Sequence, residues 1–81
     1  MRIEVLYFAA AREAAGRPAE QLEVPDGETL AGLRGVLATR HPGLARTLRT
    51  SRLAVGEAFG EEGRRLEPGD VVAVLPPVSG G

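Results

Sequence analysis

The sequence predicts an α+β roll in which one amphipathic helix packs across a mixed sheet. Three observations carry that prediction. Residues 2–8 alternate in character with a period of two, residues 30–37 set leucines at helical spacing, and residues 71–75 are apolar at every position. Two strands therefore precede the helix and two or more follow it. In that order the first and last strands can pair in parallel at the centre of the sheet.

From Arg2 to Phe8, an extended chain places Ile3, Val5 and Tyr7 on one face and Arg2, Glu4, Leu6 and Phe8 on the other. The second face is polar at its start and apolar at its end. "AAAREAAG" follows as a short helix-prone connection ended by Gly16, and "AEQLEV" reads as a second strand closed by the turn at Pro25–Gly27.

Thr29 is the expected N-cap of the main helix. Leu30, Leu33 and Leu37 recur at i, i+3 and i+7 with Val36 beside them, which makes one stripe that must cover something. Gly32 and Gly35 each cost about 1 kcal/mol relative to Ala in a helix interior, and close backbone packing is one reason for keeping them. Pro42 and Gly43 interrupt the pattern, and "LARTLRTS" forms a further turn or short helix.

"RLAVGEAF" is read as a third strand and "GEEGRR" as a polar connection. "EPGD" puts Pro68 and Gly69 at the central positions of a type II turn. "VVAVLP" is apolar on both faces, as a central strand is. One substantial helix covers one face of that strand, so part of the other is left for a partner.

The chain has 81 residues, enough for one small domain, here expected over 1–75 with an extended tail over 76–81. It has no Cys and one His, which excludes disulfides, thiolate nucleophiles and Cys/His zinc sites. A net charge of -1 argues against a nucleic-acid partner. "MRIEVLYF" lacks the pattern of a signal peptide, and no apolar run approaches the ~20 residues of a membrane span. A soluble cytoplasmic protein without a membrane partner is the expectation.

Chemistry-bearing side chains form no catalytic constellation in the sequence. His41, in "RHPG", is expected to be solvated at the helix C-terminus, where the dipole favours it. No Gly-rich loop precedes a Lys, for there is no Lys at all: the ten basic residues are Arg. Glu61 and Glu62 read as a soluble turn, and Arg46, Arg49 and Arg52 as the solvated side of a helical turn rather than a patch for an acidic partner. With no nucleophile beside a base and no bound cofactor expected, an independent enzyme has no support.

The tail "PPVSGG" is more informative. With 11 Gly in 81 residues, chance alone ends a chain on two glycines roughly 2% of the time. Pro76-Pro77 stiffens the exit from an anchored strand, and Pro76, Pro77, Val78, Ser79, Gly80 and Gly81 together reach up to about 20 Å when extended. Two side-chain-free residues let such a probe enter a narrow active site. The Gly81 carboxylate is ionised in the cell and is a poor electrophile, so another enzyme must activate it, for instance as an acyl-adenylate from ATP. An amine acceptor would give a protein conjugate and a sulfur donor a thiocarboxylate.

A roll ending in Gly-Gly resembles the ubiquitin-like (β-grasp) sulfur carriers, and within them the family of molybdopterin synthase small subunits, MoaD. The resemblance spans the whole chain and rests on "VLYFAAAREAAG" at 5–16 and "LEPGDVVAVLPPVSGG" at 66–81. At Leu53–Gly56 "LAVG" departs from the Asn that the family often has after Val. The resemblance implies that an E1-like adenylating enzyme of the MoeB type activates Gly81 with ATP and that a sulfurtransferase system converts it to a thiocarboxylate. It further implies that the tail inserts into the large subunit, MoaE, and gives sulfur to cyclic pyranopterin monophosphate, within a heterotetramer. The large subunit would supply the catalytic side chains. Leu6, Phe8 and Leu75 are the expected docking residues, with Arg12 as a polar contact beside them; the competing expectation is that they complete the monomer core. Other sulfur-carrier pathways, such as tRNA thiolation or thiamine synthesis, and protein modification stay open. So does a plain interaction module with an inert tail.

Overall fold

A computed structural model describes residues 1–78. The chain runs β1 (Arg2–Tyr7), α1 (Ala9–Ala15), β2 (Ala19–Glu23), α2 (Leu30–Arg40), a 3-10 turn (Pro42–Leu44), α3 (Ala45–Thr50), β3 (Arg52–Val55), β4 (Ala58–Phe59) and β5 (Val71–Leu75). The sheet order is β2-β1-β5-β3-β4. β1 and β5 pair in parallel, from Glu4 opposite Val71 to Tyr7 opposite Val74, and β5 is the central strand. This is the expected α+β roll.

Alternation decides which side of the sheet is buried. Ile3, Val5 and Tyr7 of β1, Leu53 and Val55 of β3, and Val72 and Val74 of β5 all point into the core. Leu30, Leu33 and Leu37 of α2 meet them and are fully buried, joined by Leu44 and Leu48. Ala11 of α1 is buried in the same layer, so all three helices lie on one side of the sheet.

The first turn of α2 has its free backbone donors satisfied. Thr29 accepts from the Gly32 N–H at 3.1 Å, Leu30 N–H donates to the Arg64 carbonyl at 3.0 Å, and Ala31 N–H donates to the Glu62 carbonyl at 2.9 Å. The polar connection 60–65 is thus stitched to the helix start. Arg34 completes the join: Nε reaches Glu62 at 2.6 Å, while Nη1 and Nη2 reach the Leu48 and Ser51 carbonyls at the end of α3, at 2.5 and 2.9 Å.

Four expectations are corrected. "RLAVGEAF" is a two-residue hairpin joining β3 to β4, because Gly56 turns the chain at φ 65 and Val55 pairs with Ala58. Phe8 lies just outside the ladder, which ends at Tyr7, and is the N-cap of α1. Close packing of backbones does not explain the helix glycines: a Cβ at Gly35 would meet nothing within 4 Å, and the atoms nearest to one at Gly32 belong to the flexible Glu28 side chain. Arg52 stands on β3 and shares no helical turn with Arg46 and Arg49. The turn at Pro68-Gly69 is as expected, with Gly69 at φ 85 and the Asp70 N–H donating to the Glu67 carbonyl. No helix among the described residues is long and apolar enough to cross a membrane.

Candidate docking face and tail base

The sheet face turned away from the helices is only partly covered. Register places Leu6 beside Ala73, Ala73 beside Ala54, and Ala54 beside Phe59, while Leu75 stands opposite Arg52. Leu6, Ala73 and Leu75 are half-buried, Val71 is exposed, and Phe59 is 55% exposed. The Arg52 guanidinium lies 3.6 Å above the Phe59 ring centroid, a cation–π stack worth about 0.5–1 kcal/mol at an exposed site. The result is an apolar strip with one flat cation on it.

Parallel pairing of β1 with β5 brings the strip to the tail. Tyr7 pairs with Val74, so the next residues, Phe8 and Leu75, leave the ladder at the same end of the sheet. Phe8 keeps extended backbone (φ -122, ψ 152), which by alternation turns it to the side of Leu6, and it is 45% exposed. Arg12 is exposed on α1, its backbone N–H donating to the Phe8 carbonyl at 3.3 Å. Beyond Leu75, Pro76 is half-buried while Pro77 and Val78 are exposed. Three of the four expected docking residues therefore lie toward the end of the sheet where the tail begins, and Arg12 follows one helical turn later. Ser79, Gly80 and Gly81, on which the expected chemistry falls, lie outside the described residues.

The junction after Phe8 is strained. Ala9 has φ 48, the only positive φ at a residue other than Gly among the described residues. Such a conformation costs an L-residue about 1–2 kcal/mol. Ala9 is exposed and lies outside the hydrophobic core, so core packing does not offset that cost.

Behind this end of the sheet lies a cluster that the sequence reading missed. The Glu20 carboxylate, 2% exposed, uses both oxygens twice. Oε1 accepts from the Tyr7 hydroxyl at 2.6 Å and faces His41 Nε2 at 2.5 Å; Oε2 accepts from Arg17 Nη1 at 3.0 Å and Arg40 Nε at 3.2 Å. His41 is thus not the solvated residue expected: its side chain is 17% exposed and packs edge-on to Tyr7, 5.9 Å between ring centroids. Burial pushes the Glu20 pKa up, but hydrogen bonds from Tyr7, His41 and Arg40 outweigh it and hold the carboxyl below its ordinary range. An ionised carboxylate only accepts, so His41 Nε2 is the donor in this contact. Burial first, then the hydrogen bond and charge of Glu20, push the Tyr7 phenol well above its ordinary value.

One sequence signal pointed to the cluster. Leu22 and Val24 face the core, and period two carries Glu20 inward with them. A carboxylate there requires donors. Phe59, Arg52 and Ala73 were also missed, although the parity of "RLAV" and "VVAVL" assigns Arg52 and Ala73 to the open face.

Comparison with known proteins is consistent along the whole chain. The family model described as "ThiS family" matches residues 5–81. The human molybdopterin synthase sulfur carrier subunit is 41% identical over 99% of this chain and 94% of its own. A chain of the protein–protein complex of subunits 1 and 2 of molybdopterin-converting factor from Helicobacter pylori superposes with TM-score 0.73 at 27% identity, with both chains fully covered. The small archaeal modifier protein SAMP1 from Methanosarcina acetivorans superposes with TM-score 0.80 at 26% identity, over 99% of this chain and 96% of that one.

Proposed function

Since the chain belongs to the ThiS family, we propose that it works as the sulfur-carrier subunit of a molybdopterin synthase. It supplies no catalytic side chain and acts as the sulfur-donating partner of a large subunit, a reading supported by the complex of subunits 1 and 2 of molybdopterin-converting factor from Helicobacter pylori. The observation that carries this reading is the shared end of β1 and β5: the exposed Phe8, the half-buried Leu6 and Leu75, and the start of the tail all lie there. A partner seated on that strip, with Arg12 at its rim, receives the tail at the same time.

In this reading an E1-like enzyme lets the Gly81 carboxylate displace pyrophosphate from ATP to form an acyl-adenylate, and sulfide-level sulfur delivered by a sulfurtransferase system attacks its carbonyl carbon, expels AMP and leaves the thiocarboxylate. Pro76 to Gly80 then carry the thiocarboxylate into the large subunit, which holds cyclic pyranopterin monophosphate. Nothing on the last two residues obstructs a narrow channel, since Gly has no side chain. The carrier is cytoplasmic, binds no cofactor of its own, and forms a heterotetramer with the large subunit.

The test is the intact mass of the protein purified from its native cells under non-reducing conditions, with its last peptide sequenced. A mass change equal to oxygen replaced by sulfur, located on Gly81, is the expected result. An unmodified carboxylate that persists after incubation with ATP, an E1-like enzyme and a sulfur source would refute the reading. Similarity to SAMP1 favours a second reading, attachment to other proteins as a modifier, which the same spectra would reveal as an isopeptide-linked Gly81.

A further inference from the structure

We infer that Ala9 is a positioning residue, whose left-handed backbone fixes the turn that holds Phe8 outside the fold, level with Leu75, for the partner protein. The inference rests on the docking role proposed for Phe8. It starts from a contrast between turns. Gly16, Gly27, Gly56 and Gly69 supply positive φ where the chain bends, since Gly adopts it without steric conflict. At the bend after Phe8 the chain has φ 48 with a Cβ in place. That methyl group is exposed, so core packing does not account for it.

Both flanks of the bend are fixed. Upstream, the Tyr7 N–H donates to the Pro18 carbonyl at 2.8 Å and its hydroxyl is held by Glu20. Downstream, the Phe8 carbonyl accepts from Ala11 N–H at 3.0 Å and from Arg12 N–H at 3.3 Å, which locks the first turn of α1. The chain must pass from the sheet into the helical layer between these two anchors. Ala9 makes the passage in a single residue, and Phe8 stays extended on the side of Leu6. Gly at this position would relieve the steric conflict but open many more φ/ψ states, and Phe8 would then have to be ordered at the moment of binding. The Cβ keeps the docking residue preorganised.

Full-length wild-type chain, Ala9→Gly, Ala9→Asn and Phe8→Asp are compared in denaturant unfolding and in sulfur transfer with the large subunit, with carrier concentration varied. Ala9→Gly is expected to unfold at the wild-type denaturant concentration or above it. Its KM for the carrier should rise roughly three- to tenfold at unchanged kcat, the loss expected when one interface side chain must be ordered on binding. Ala9→Asn, which tolerates the left-handed region and keeps a Cβ, should restore the wild-type KM. An unchanged KM for Ala9→Gly, while Phe8→Asp raises it, overturns the role of Ala9 alone. If Phe8→Asp also leaves KM unchanged, the docking assignment falls and takes this inference with it. A KM for Ala9→Asn as high as that of Ala9→Gly would likewise overturn it.

Discussion

The Tyr7 hydroxyl donates to Glu20 Oε1 at 2.6 Å inside the fold and so ties β1 to the buried carboxylate of β2. Both groups are shifted from their ordinary values, in opposite directions, and each contributes to one limb of the stability profile. Glu20 is lowered in the folded state, so its stabilisation is complete above the ordinary value of 4.5 and is lost as pH falls through the lowered one. Tyr7 is raised, so its contribution is complete below 10.0 and is lost as pH climbs toward its folded value. With no Lys or Cys, Tyr7 is the only side chain of the chain whose ordinary value lies between about pH 9 and 12. Phenolate absorbance from this single Tyr should be absent in the folded protein at about pH 11 and present once denaturant is added. A folded-state titration near 10 would show that the burial and the Glu20 bond are wrong.

Replacing Glu20 by Gln should destabilise the fold by about 1–3 kcal/mol, the cost of leaving buried partners such as Tyr7 imperfectly satisfied. Tyr7→Phe removes one donor and leaves Glu20 with three, so its cost should be smaller, about 1 kcal/mol. Urea unfolding of both single variants and the double variant gives the coupling between them. Strict additivity would mean that the hydroxyl and the carboxylate do not interact.

Gly35→Ala should stabilise the protein by about 0.8–1 kcal/mol, because the helix gains an Ala and the new methyl group meets open space. Gly32→Ala should gain less. Its methyl group must displace the Glu28 carboxylate, which accepts from the Thr29 N–H at 3.0 Å. Thermal unfolding of the two variants decides the order, and a destabilised Gly35→Ala would disprove the open surface.

Arg34 joins three segments through its guanidinium, and the fork matters more than the charge. Arg34→Met keeps much of the stem and loses the hydrogen bonds to Leu48, Ser51 and Glu62, for an expected loss of about 2 kcal/mol. Arg34→Lys should recover less than half of it, since an ammonium cannot span the carbonyls and the carboxylate together. Equal stability of the Lys variant and wild type in guanidinium denaturation would remove the argument.

What could be read from the sequence was local. Alternation in residues 2–7, the Thr29 cap, the Leu30/Leu33/Leu37 stripe and the Pro68-Gly69 turn each fall within a few neighbouring residues, and each is found in place. What was missed depends on partners distant in sequence. His41 was assigned to solvent on a helix-end argument, but its partner Glu20 lies 21 positions earlier. The alternation of "RLAVGEAF" continues through Gly56 and so hides the reversal there, along with the Arg52–Phe59 stack that reversal creates. The end proposed for docking was partly readable because Leu6 and Phe8 share a parity. That Leu75 would stand level with them follows only from the parallel register.

Docking and chemistry should separate under mutation. Phe8 is 45% exposed, so Phe8→Asp should leave unfolding within about 1 kcal/mol of wild type. The same change places a charge in the apolar strip, and affinity for the large subunit should fall at least tenfold, as for loss of a central aromatic contact. Unfolding of the isolated variant would instead assign Phe8 to the core. Deletion of Gly80 and Gly81 should have the converse effect: binding measured by calorimetry persists through Leu6, Phe8 and Leu75, while sulfur transfer is abolished. A carrier fails without its two terminal glycines even when it still docks. An interaction module with an inert tail would keep both its affinity and its role in the cell after the same deletion, and that outcome would replace the carrier reading.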